Sequence, residues 1–241
     1  MDIGVVRTEE LSDELRVPVE TIRRDLASLE RDGVLDRVHG GAASLGQRRS
    51  EEPSFGERAR AQEPAKSRMG LAAAALVRDG MTLFVDVGTT MLALARALPV
   101  TFRGVIVTNS MPLAAEFVRR PRVQLLLTGG RMRCDDMALS GRHALDLIEA
   151  VQADIAFIAS GGVHPTSGLT DFYLDEVATR VAMMRNSAKS YVLADSTKFN
   201  RIAPFRVVGW DSVTGLVTDE HPPAGLQAAL IDAAADLIVA G

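Results

Sequence analysis

Two short amphipathic helices, separated by a two-residue turn, are predicted near the start of the chain. Ile22, Leu26 and Leu29 recur at i, i+4 and i+7, so a helix through them carries one apolar stripe. Leu11 and Leu15 form the apolar pair of the helix before it. The two stripes predict helices that pack against each other.

The rest of the second helix is polar and rich in arginine. Its exposed positions are Thr21, Arg23, Arg24, Ser28 and Arg31. Two short helices, a tight turn and a Thr/Arg face predict a helix-turn-helix whose second helix lies in a DNA major groove. The alternative is an ordinary helix pair whose polar face is simply solvated.

A small hairpin, or wing, is predicted directly after the helix pair. Residues 34–42 alternate apolar and polar side chains and include two glycines. A wing beside a recognition helix places Arg37 and His39 near phosphates, where they position the protein without reading the base sequence.

The longer remainder of the chain alternates strand and helix patterns. Strands are predicted at 81–85, 105–107, 123–127, 154–159, 191–194, 215–217 and 237–239, and helices at 65–77, 91–98, 112–119, 144–151, 174–186 and 224–234. Repeated β-α units of this kind build a mostly parallel sheet. The predicted organisation is a DNA-binding domain at 1–43, a linker at 44–64 and an α/β domain at 65–241.

Small polar residues follow five of the predicted strands. In a parallel sheet they gather at the carboxyl edge, where α/β folds bind ligands. The candidate ligand-binding residues are Asp86, Gly88, Thr89, Thr90, Thr108, Asn109, Ser110, Gly129, Gly130, Asp195 and Lys198. Any one loop is also compatible with plain turn chemistry, and Lys198 with a surface amine. The prediction therefore rests on five loops in register, at 88–90, 108–110, 128–130, 160–162 and 195–198.

The residue types in these loops indicate an anionic ligand that carries hydroxyl groups. Gly88 lets the backbone approach a ligand, and the helix that opens after it presents N–H groups that attract phosphate. Lys198 adds a positive charge. Asp86, Asn109 and Asp195 offer oxygens that accept hydrogen bonds from sugar hydroxyls.

Composition and net charge limit the classes of protein to which this chain can belong. The net charge of −4, with many carboxylates in the N-terminal helices, is a mild argument against DNA binding, which needs local positive charge. The single cysteine, Cys134, excludes an internal disulfide and fits a reducing cytoplasm. No signal peptide or membrane span is visible in the sequence, which predicts a cytoplasmic protein without membrane partners.

Nucleotide, metal and cofactor sites have no sequence signature here. The chain contains no GxxxxGK[ST] and no well-placed GxGxxG, so neither a nucleoside triphosphate nor NAD is indicated. No His/Cys cluster has metal-ligand spacing. The sequence therefore predicts no metal and no cofactor.

The N-terminal segment resembles the DeoR-type winged helix-turn-helix. The matching stretches are 21–26 (Thr-Ile-Arg-Arg-Asp-Leu), 29–30, Gly33 and 37–42 (Arg-Val-His-Gly-Gly-Ala). The resemblance implies a bacterial transcriptional regulator, usually a repressor, that senses a phosphorylated sugar or related metabolite.

The N-terminal segment also departs from the family pattern. An apolar helix that usually precedes the segment is missing, so the fold is expected to be truncated at its first helix, with the true gene start upstream or the chain shortened. Arg16 stands where Gly is usual, Pro18 where a capping Ser is usual, and Asp36 where a basic residue is common.

The remainder resembles the DeoR sensor domain. The matching pieces are Asp86 with 88–90, 108–110, 129–130, 168–170, Glu176 and 195–199. The resemblance implies the fold of ribose-5-phosphate isomerase and sugar-phosphate deaminases, and it adds Glu176 and Arg180 to the predicted effector-binding residues. Arg180 stands where Lys is usual and Gly161 where a polar residue is frequent, so contacts to a phosphate and to a hydroxyl are expected to differ.

Together these patterns predict a repressor of a carbohydrate-metabolism operon. A phosphorylated sugar effector in the α/β domain is expected to control its affinity for double-stranded operator DNA, and a homo-oligomer is expected because operators repeat half-sites. One alternative is an isomerase-like enzyme using Asp86, Glu176 and Asp195 as acids or bases. Another is a sensor that has lost DNA binding with its first helix.

Overall fold

A computed structural model describes residues 5–31, 35–38, 41–44 and 52–241 of the chain. The chain divides into two compact units, Met1–Ser50 and Glu51–Gly241. The first contains the predicted DNA-binding helices, and the second contains the alternating strands and helices.

The first unit is a helix pair with a small antiparallel sheet. Its elements are β1 (Val5–Arg7), α1 (Thr8–Leu15), α2 (Val19–Arg31), β2 (Leu35–Val38) and β3 (Gly41–Ser44). The strand order is β1-β3-β2. The helix pair and the hairpin are therefore confirmed, while the strand at Val5–Arg7 has no counterpart in the sequence analysis.

The core of this unit is small. Ile22 is 3% exposed and Leu26 is 5% exposed, and both pack with the buried Ala42 of the hairpin. Leu29 and Leu15, which the apolar pattern also assigned to the interface, are 37% and 59% exposed. Only the middle of the predicted stripe is thus buried.

The turn between the two helices depends on a residue with positive φ. Arg16 caps the end of α1 with φ 52° and ψ 40°, the left-handed region that glycine adopts most easily. The Ser12 hydroxyl donates to the Val17 carbonyl at 2.7 Å and helps to close the turn. The departure from Gly noted in the sequence therefore falls on the one turn residue where a side chain causes strain.

The second unit is a parallel sheet with helices on both faces. Its strands are β4 (Thr82–Val85), β5 (Gly104–Thr108), β6 (Val123–Leu127), β7 (Arg131–Arg133), β8 (Ala138–Ser140), β9 (Ala153–Ala159), β10 (Gly162–His164), β11 (Gly168–Asp171), β12 (Ser187–Leu193), β13 (Phe205–Val208), β14 (Gly215–Thr218) and β15 (Asp236–Val239). Its helices are α3 (Phe55–Arg60), α4 (Glu63–Ala74), α5 (Thr89–Ala97), α6 (Met111–Phe117), α7 (Arg142–Glu149), α8 (Leu174–Arg185) and α9 (Ala224–Asp232).

Seven of these strands form the main sheet in the order β15-β14-β12-β9-β4-β5-β6, and all its pairs are parallel. The mostly parallel sheet predicted from the β-α alternation is confirmed. On one face lie α4, α5 and α6, which contribute Met69, Leu94 and Leu113 to a buried cluster. On the other lie α7, α8 and α9, which contribute Ile148, Met183 and Leu226.

Three short antiparallel pairings escaped prediction. The hairpin β7-β8 and the sheet β10-β11-β13 lie outside the main sheet. Their strands have three or four residues, too few to give a clear alternation of apolar and polar positions.

The segment predicted as a linker is partly helical. Its described residues, 52–64, belong to the second unit and contain α3 and the start of α4. Ser54 begins α3 with a capping box, in which its hydroxyl accepts from the Glu57 N–H and the Glu57 carboxylate accepts from the Ser54 N–H. A six-residue helix has too few turns to show an apolar period, so composition alone concealed it.

None of the helices in the described ranges combines the length and apolar character needed to cross a membrane.

We expect Arg16→Gly to stabilise the first unit by about 1 kcal/mol, because glycine removes the Cβ strain of the left-handed turn. Native-state hydrogen exchange of the α2 amides measures this as slower exchange. Arg16→Ala is the matched control: it removes the same charge but keeps the Cβ, so it should give no such gain. Equal stabilisation by both variants would contradict the strain argument.

Candidate functional site

Five adjacent strands of the main sheet end at the same edge. In the order β12, β9, β4, β5 and β6 they run parallel, so the loops that follow them lie side by side along the carboxyl edge. The structure therefore brings together the five loops that the sequence analysis singled out.

The loop after β4 contains a glycine that no other residue replaces easily. Gly88 has φ 140° and ψ 161° and directly precedes α5. No side chain in the described part of the chain caps this end of α5. The backbone N–H groups of Thr89 and Thr90 consequently open the helix without a side-chain acceptor, as predicted for an anion-attracting loop.

Two buried side chains beside this loop lack hydrogen-bond partners. Asn109 follows β5 and is 0% exposed, yet neither its amide nitrogen nor its amide oxygen meets a partner among the described residues. Ser160 follows β9, and its Oγ is likewise buried and unpaired. Because β9 and β5 flank β4, these two polar groups stand on either side of Gly88.

Other predicted loop residues serve local structure. The Thr108 hydroxyl accepts from the Ser110 N–H at 3.1 Å, and the Ser110 hydroxyl caps α6. Asp195 accepts from the Thr197 N–H at 3.1 Å. These contacts explain the residue types through turn chemistry, the alternative that the sequence left open.

The glycines after β6 have different surroundings. Gly129 has φ 71° and open space where a side chain would stand, whereas a Cβ on Gly130 would lie 2.3 Å from the Ser140 carbonyl oxygen. Gly130 is therefore required by the close approach of β8, and Gly129 by its backbone conformation.

The most heavily buried cation among the described residues of the second unit is Arg180, which is 3% exposed. Its Nε donates to Asp86 at 2.6 Å, and its Nη2 donates to Glu176 at 2.8 Å. Its Nη1 lies 2.5 Å from Asp171 Oδ2, an ion pair whose angles do not make a hydrogen bond. Three carboxylates thus surround one guanidinium.

This arrangement changes the expected role of Arg180 and Asp86. Both side chains were predicted to contact an effector, but Arg180 is enclosed by carboxylates and Asp86 is 0% exposed. The Asp86 carboxylate also accepts from the Val87 and Ala159 N–H groups, at 2.7 and 3.0 Å. Their geometry is that of a buried structural ion pair that fixes the β4 and β9 loops.

Glu176 links Arg180 to a second arginine. Its other carboxylate oxygen contacts Arg133, whose guanidinium also binds Asp136 and stacks 3.5 Å above the ring of Tyr173. Burial raises the pKa of Glu176 to about 7, against the opposing attraction of Arg180. The raised pKa favours protonation of Glu176, which makes the cluster less negative.

The ion pairs continue toward α3. Arg58 Nη2 lies 3.6 Å from Asp136 Oδ2, and Arg58 Nη1 lies 2.7 Å from Glu52 Oε1. We call the connected set the ion-pair cluster; it consists of Glu52, Arg58, Asp86, Arg133, Asp136, Asp171, Glu176 and Arg180.

Five members of the cluster were missed by the sequence analysis. They are Glu52, Arg58, Arg133, Asp136 and Asp171. Arg133 and Asp136 form an i, i+3 pair within a charged stretch that follows the third predicted loop, which is a weak signal. Nothing in the sequence places Glu52 or Asp171 near the sheet edge, because their pairing depends on contacts between distant segments.

Two lysines near the same edge of the sheet differ in the contacts that their ammonium groups make. Lys66 is 7% exposed, and its ammonium donates to the backbone carbonyls of Arg58 and Ala61. Lys198 is partly buried and forms no ion pair with any residue of the described ranges. Burial, together with the nearby positive charge of Arg201, lowers the pKa of Lys198 to about 8.

On the first unit, α2 presents the predicted DNA-binding residues. Arg23 and Arg24 are exposed, and Thr21 and Ser28 are partly exposed. Arg23 Nη1 lies 3.1 Å from the Glu20 carboxylate, a solvent-exposed pair. His39 and the side chains of Arg31 and Arg37 lie outside the described residues.

Across the ranges that the structure describes, no group of three or more His, Cys, Asp or Glu side chains is arranged to hold a metal ion.

Comparison with known protein families adds an independent observation. The DeoR-like helix-turn-helix domain matches residues 2–48, and the DeoR C terminal sensor domain matches residues 61–220. The chain belongs to the DeoR family of transcriptional regulators. The family assignment inferred from the sequence motifs is confirmed, and it covers both units.

Two curated relatives are transcriptional repressors, and one solved structure is similar to part of the chain. The HTH-type transcriptional repressor CsqR of Escherichia coli strain K12 is 31% identical, over 98% of this chain and 90% of the relative. The glycerol-3-phosphate regulon repressor of the same organism is 32% identical, over 95% and 90%. Ribose 5-phosphate isomerase A from Methanocaldococcus jannaschii aligns with a TM-score of 0.42 and 18% identity, over 57% of this chain and 55% of the isomerase.

We expect Arg180→Met in this DeoR protein to lower the free energy of unfolding of the sensor unit by about 3–5 kcal/mol, because three carboxylates lose their counter-charge. Denaturant titration followed by the fluorescence of Trp210, the single tryptophan, measures the loss. The control Arg142→Met breaks an exposed pair with Asp146 and should change stability by less than about 1 kcal/mol. Equal effects would refute the structural role of Arg180.

Proposed function

We propose that this DeoR-family protein is a repressor of a carbohydrate-metabolism operon. It binds double-stranded operator DNA through α2 and the β2-β3 wing, as a homo-oligomer. A phosphorylated sugar or related metabolite binds at the carboxyl edge of the main sheet and controls the affinity for DNA.

The observation that carries the effector proposal is the set of unpaired polar groups around Gly88. Buried polar atoms almost always have partners, so the free amide of Asn109 and the free hydroxyl of Ser160 call for a ligand or ordered water. Between them, α5 opens with uncapped N–H groups. Hydrogen-bonding side chains beside an anion-attracting helix end suit a sugar phosphate.

Charge supports the same ligand class. Lys198 stands at the end of β12, two strands from Gly88, and is not neutralised by an ion pair within the described residues. An anion that reaches this edge pairs with the Lys198 ammonium at a small desolvation cost, because burial has already removed part of the water around the ammonium. The name of the relative in E. coli, a glycerol-3-phosphate regulon repressor, makes small sugar phosphates the first compounds to test.

The carboxylates that the enzyme alternative requires as acids or bases are engaged in contacts within the protein. Asp86 and Glu176 are held by arginines, and Asp195 caps the turn after β12. Asp86 and Glu176 have both carboxylate oxygens in hydrogen bonds within the protein, and Asp195 Oδ1 accepts from Thr197, so these oxygens are not directed at a substrate. Membership of the DeoR family of transcriptional regulators accords with this reading.

Helix geometry separates the two adjacent arginines of α2. At about 100° per residue, Arg24 lies about 160° from both buried residues, Ile22 and Leu26, whereas Arg23 lies about 60° from Leu26. Arg24 therefore points away from the core, toward the side of α2 on which a DNA groove is expected. Thr21 and Ser28 share that side.

We expect Arg24→Ala to weaken binding to the DNA upstream of the protein's own gene about tenfold, because one guanidinium contact to phosphate or a base edge is lost. Gel-shift titration at fixed salt measures this. Arg23→Ala removes the same charge from the same helix and should have a smaller effect. A larger effect at Arg23 would contradict this orientation of α2. If the wild-type protein does not bind this DNA at low salt, the proposed repressor function is excluded.

We expect Lys198→Met to weaken the effector response about tenfold while DNA binding without effector persists, because the ammonium attracts the phosphate. The measurement is release or tightening of the DNA complex by triose, pentose and hexose phosphates. In the wild type, effector affinity should also decline above about pH 8, since the neutral amine no longer attracts an anion. Lys189→Met, a change at an exposed lysine of β12, is the control; an unaltered response in Lys198→Met would remove this residue from the site.

A further inference from the structure

A carboxylate from the segment before α3 lies among the cations at the sheet edge. We propose that Glu52 is an internal competitor of the effector, occupying the position of its anionic group, and that Arg58 is an additional anion-binding residue of the same site. This inference rests on the proposed function and extends it to a segment outside the five strand-end loops.

The pairing of Glu52 with Arg58 is close and largely desolvated. Glu52 Oε1 lies 2.7 Å from Arg58 Nη1, and the two side chains are 9% and 15% exposed. A salt bridge of this kind is not a loose surface contact. The carboxylate is held in a fixed place, as the anionic group of a ligand would be.

Arg58 is only partly used by its protein partners. Its Nε and Nη2 are buried but make no hydrogen bond with a described residue, and Asp136 Oδ2 at 3.6 Å from Nη2 is too distant to accept one. A guanidinium offers five N–H donors in a rigid fork. The unused donors match the several oxygens of a phosphate better than the two of a carboxylate.

The backbone of Arg58 is tied to the predicted anion loop. Its carbonyl oxygen accepts from the Thr89 hydroxyl at 3.5 Å and from the ammonium of Lys66. Thr89 is the first residue of α5, directly after Gly88. These contacts place α3 beside the helix end that attracts anions.

Two of the cations near Glu52, Arg58 and Lys198, are the ones that the proposed effector would contact. Lys198 and Arg180, together with Arg58, attract the Glu52 carboxylate, whereas Asp171 repels it. Burial raises the pKa of Glu52, so the charged carboxylate is held less favourably here than in water. A phosphate with a larger charge and more acceptor oxygens is equipped to displace it.

Displacement of Glu52 gives the effector a route to the DNA-binding unit. Glu52 and α3 are the first described residues of the sensor unit, and along the chain they follow the segment that leads from the wing. An effector that replaces the Glu52 contact changes how residues 52–54, the first described residues of the sensor unit, are held. Such a ligand has different affinities for the anchored and released states, which coupling between two sites requires.

The test is calorimetric titration of the full chain with inorganic phosphate and with a panel of triose, pentose and hexose phosphates. Glu52→Gln keeps the size of the side chain and removes its charge, so it should bind the active compound about tenfold more tightly than the wild type. Glu57→Gln is the matched control, because it removes a charge from exposed α3 surface while Gln preserves the capping box. It should leave affinity unchanged.

The role of Arg58 is tested by the reverse effect. Arg58→Gln should weaken binding about tenfold or more, whereas Arg60→Gln, at an exposed position of the same helix, should not. Hydrogen exchange supplies a readout that does not depend on affinity: ligand should speed exchange of amides before α3 in the wild type and have little further effect in Glu52→Gln. Thermal unfolding of each variant verifies that it is folded.

The outcomes distinguish this inference from the proposed function. If neither the wild type nor Glu52→Gln binds any compound, the effector site itself is wrong and the inference falls with it. If the wild type binds but Glu52→Gln binds no more tightly than Glu57→Gln, only the competitor is overturned. Binding by Glu52→Gln alone, or tighter binding by it, supports the inference.

Discussion

The second unit depends on one buried cation. Arg180 extends from α8 beneath the sheet edge and holds Asp86 after β4, Asp171 at the end of β11 and Glu176 on its own helix. Each carboxylate would be costly to bury alone, and the guanidinium fork meets all three at once. The resemblance to the family leads one to expect lysine at this position, yet a lysine ammonium is a point charge and does not present donors in three fixed directions. Arginine therefore makes the junction of strand, hairpin and helix rigid.

This rigidity has a consequence for ligand recognition. In the proposed site, Asp86, Asp171, Glu176 and Arg180 are enclosed by their own ion pairs. Recognition of an effector is therefore left to groups around them: the uncapped start of α5, Asn109, Ser160, Lys198 and the unused donors of Arg58. Five carboxylates face three guanidinium groups in the cluster, so its formal charge is −2 when every member is ionised. The raised pKa of Glu176, about 7, reduces that charge near neutrality. A cluster closer to neutral repels an approaching phosphate less.

The contrast between predicted and unpredicted features follows from the range of the interactions. Strands such as Val123–Leu127 were found because local apolar runs specify them, and the convergence of their loops follows from parallel pairing alone. The sequence could not reveal that Asp86 belongs to Arg180, 94 residues away, because such a pair has no local pattern. For the same reason, the resemblance to the family placed Arg180 in the predicted site but did not reveal its ion pairs with Asp86, Asp171 and Glu176. The strand at Val5–Arg7 and helix α3 were missed because three or six residues are too few to display a period.

The residue type at a loop position therefore does not by itself fix the role of that position in this fold. Gly161 illustrates the point: a Cβ there would lie 3.0 Å from the Asp171 backbone and 3.0 Å from the Phe172 ring, so the absence of a polar side chain has a packing cause. In the proposed site, the residue at position 161 therefore offers no side chain for a contact with a ligand hydroxyl. Ser160, one residue earlier, carries an unpaired Oγ at the same strand end. The packing of β11 and Phe172 against Gly161 therefore excludes a polar side chain there, while the Ser160 hydroxyl, which has no partner among the described residues, remains at the same edge of the sheet.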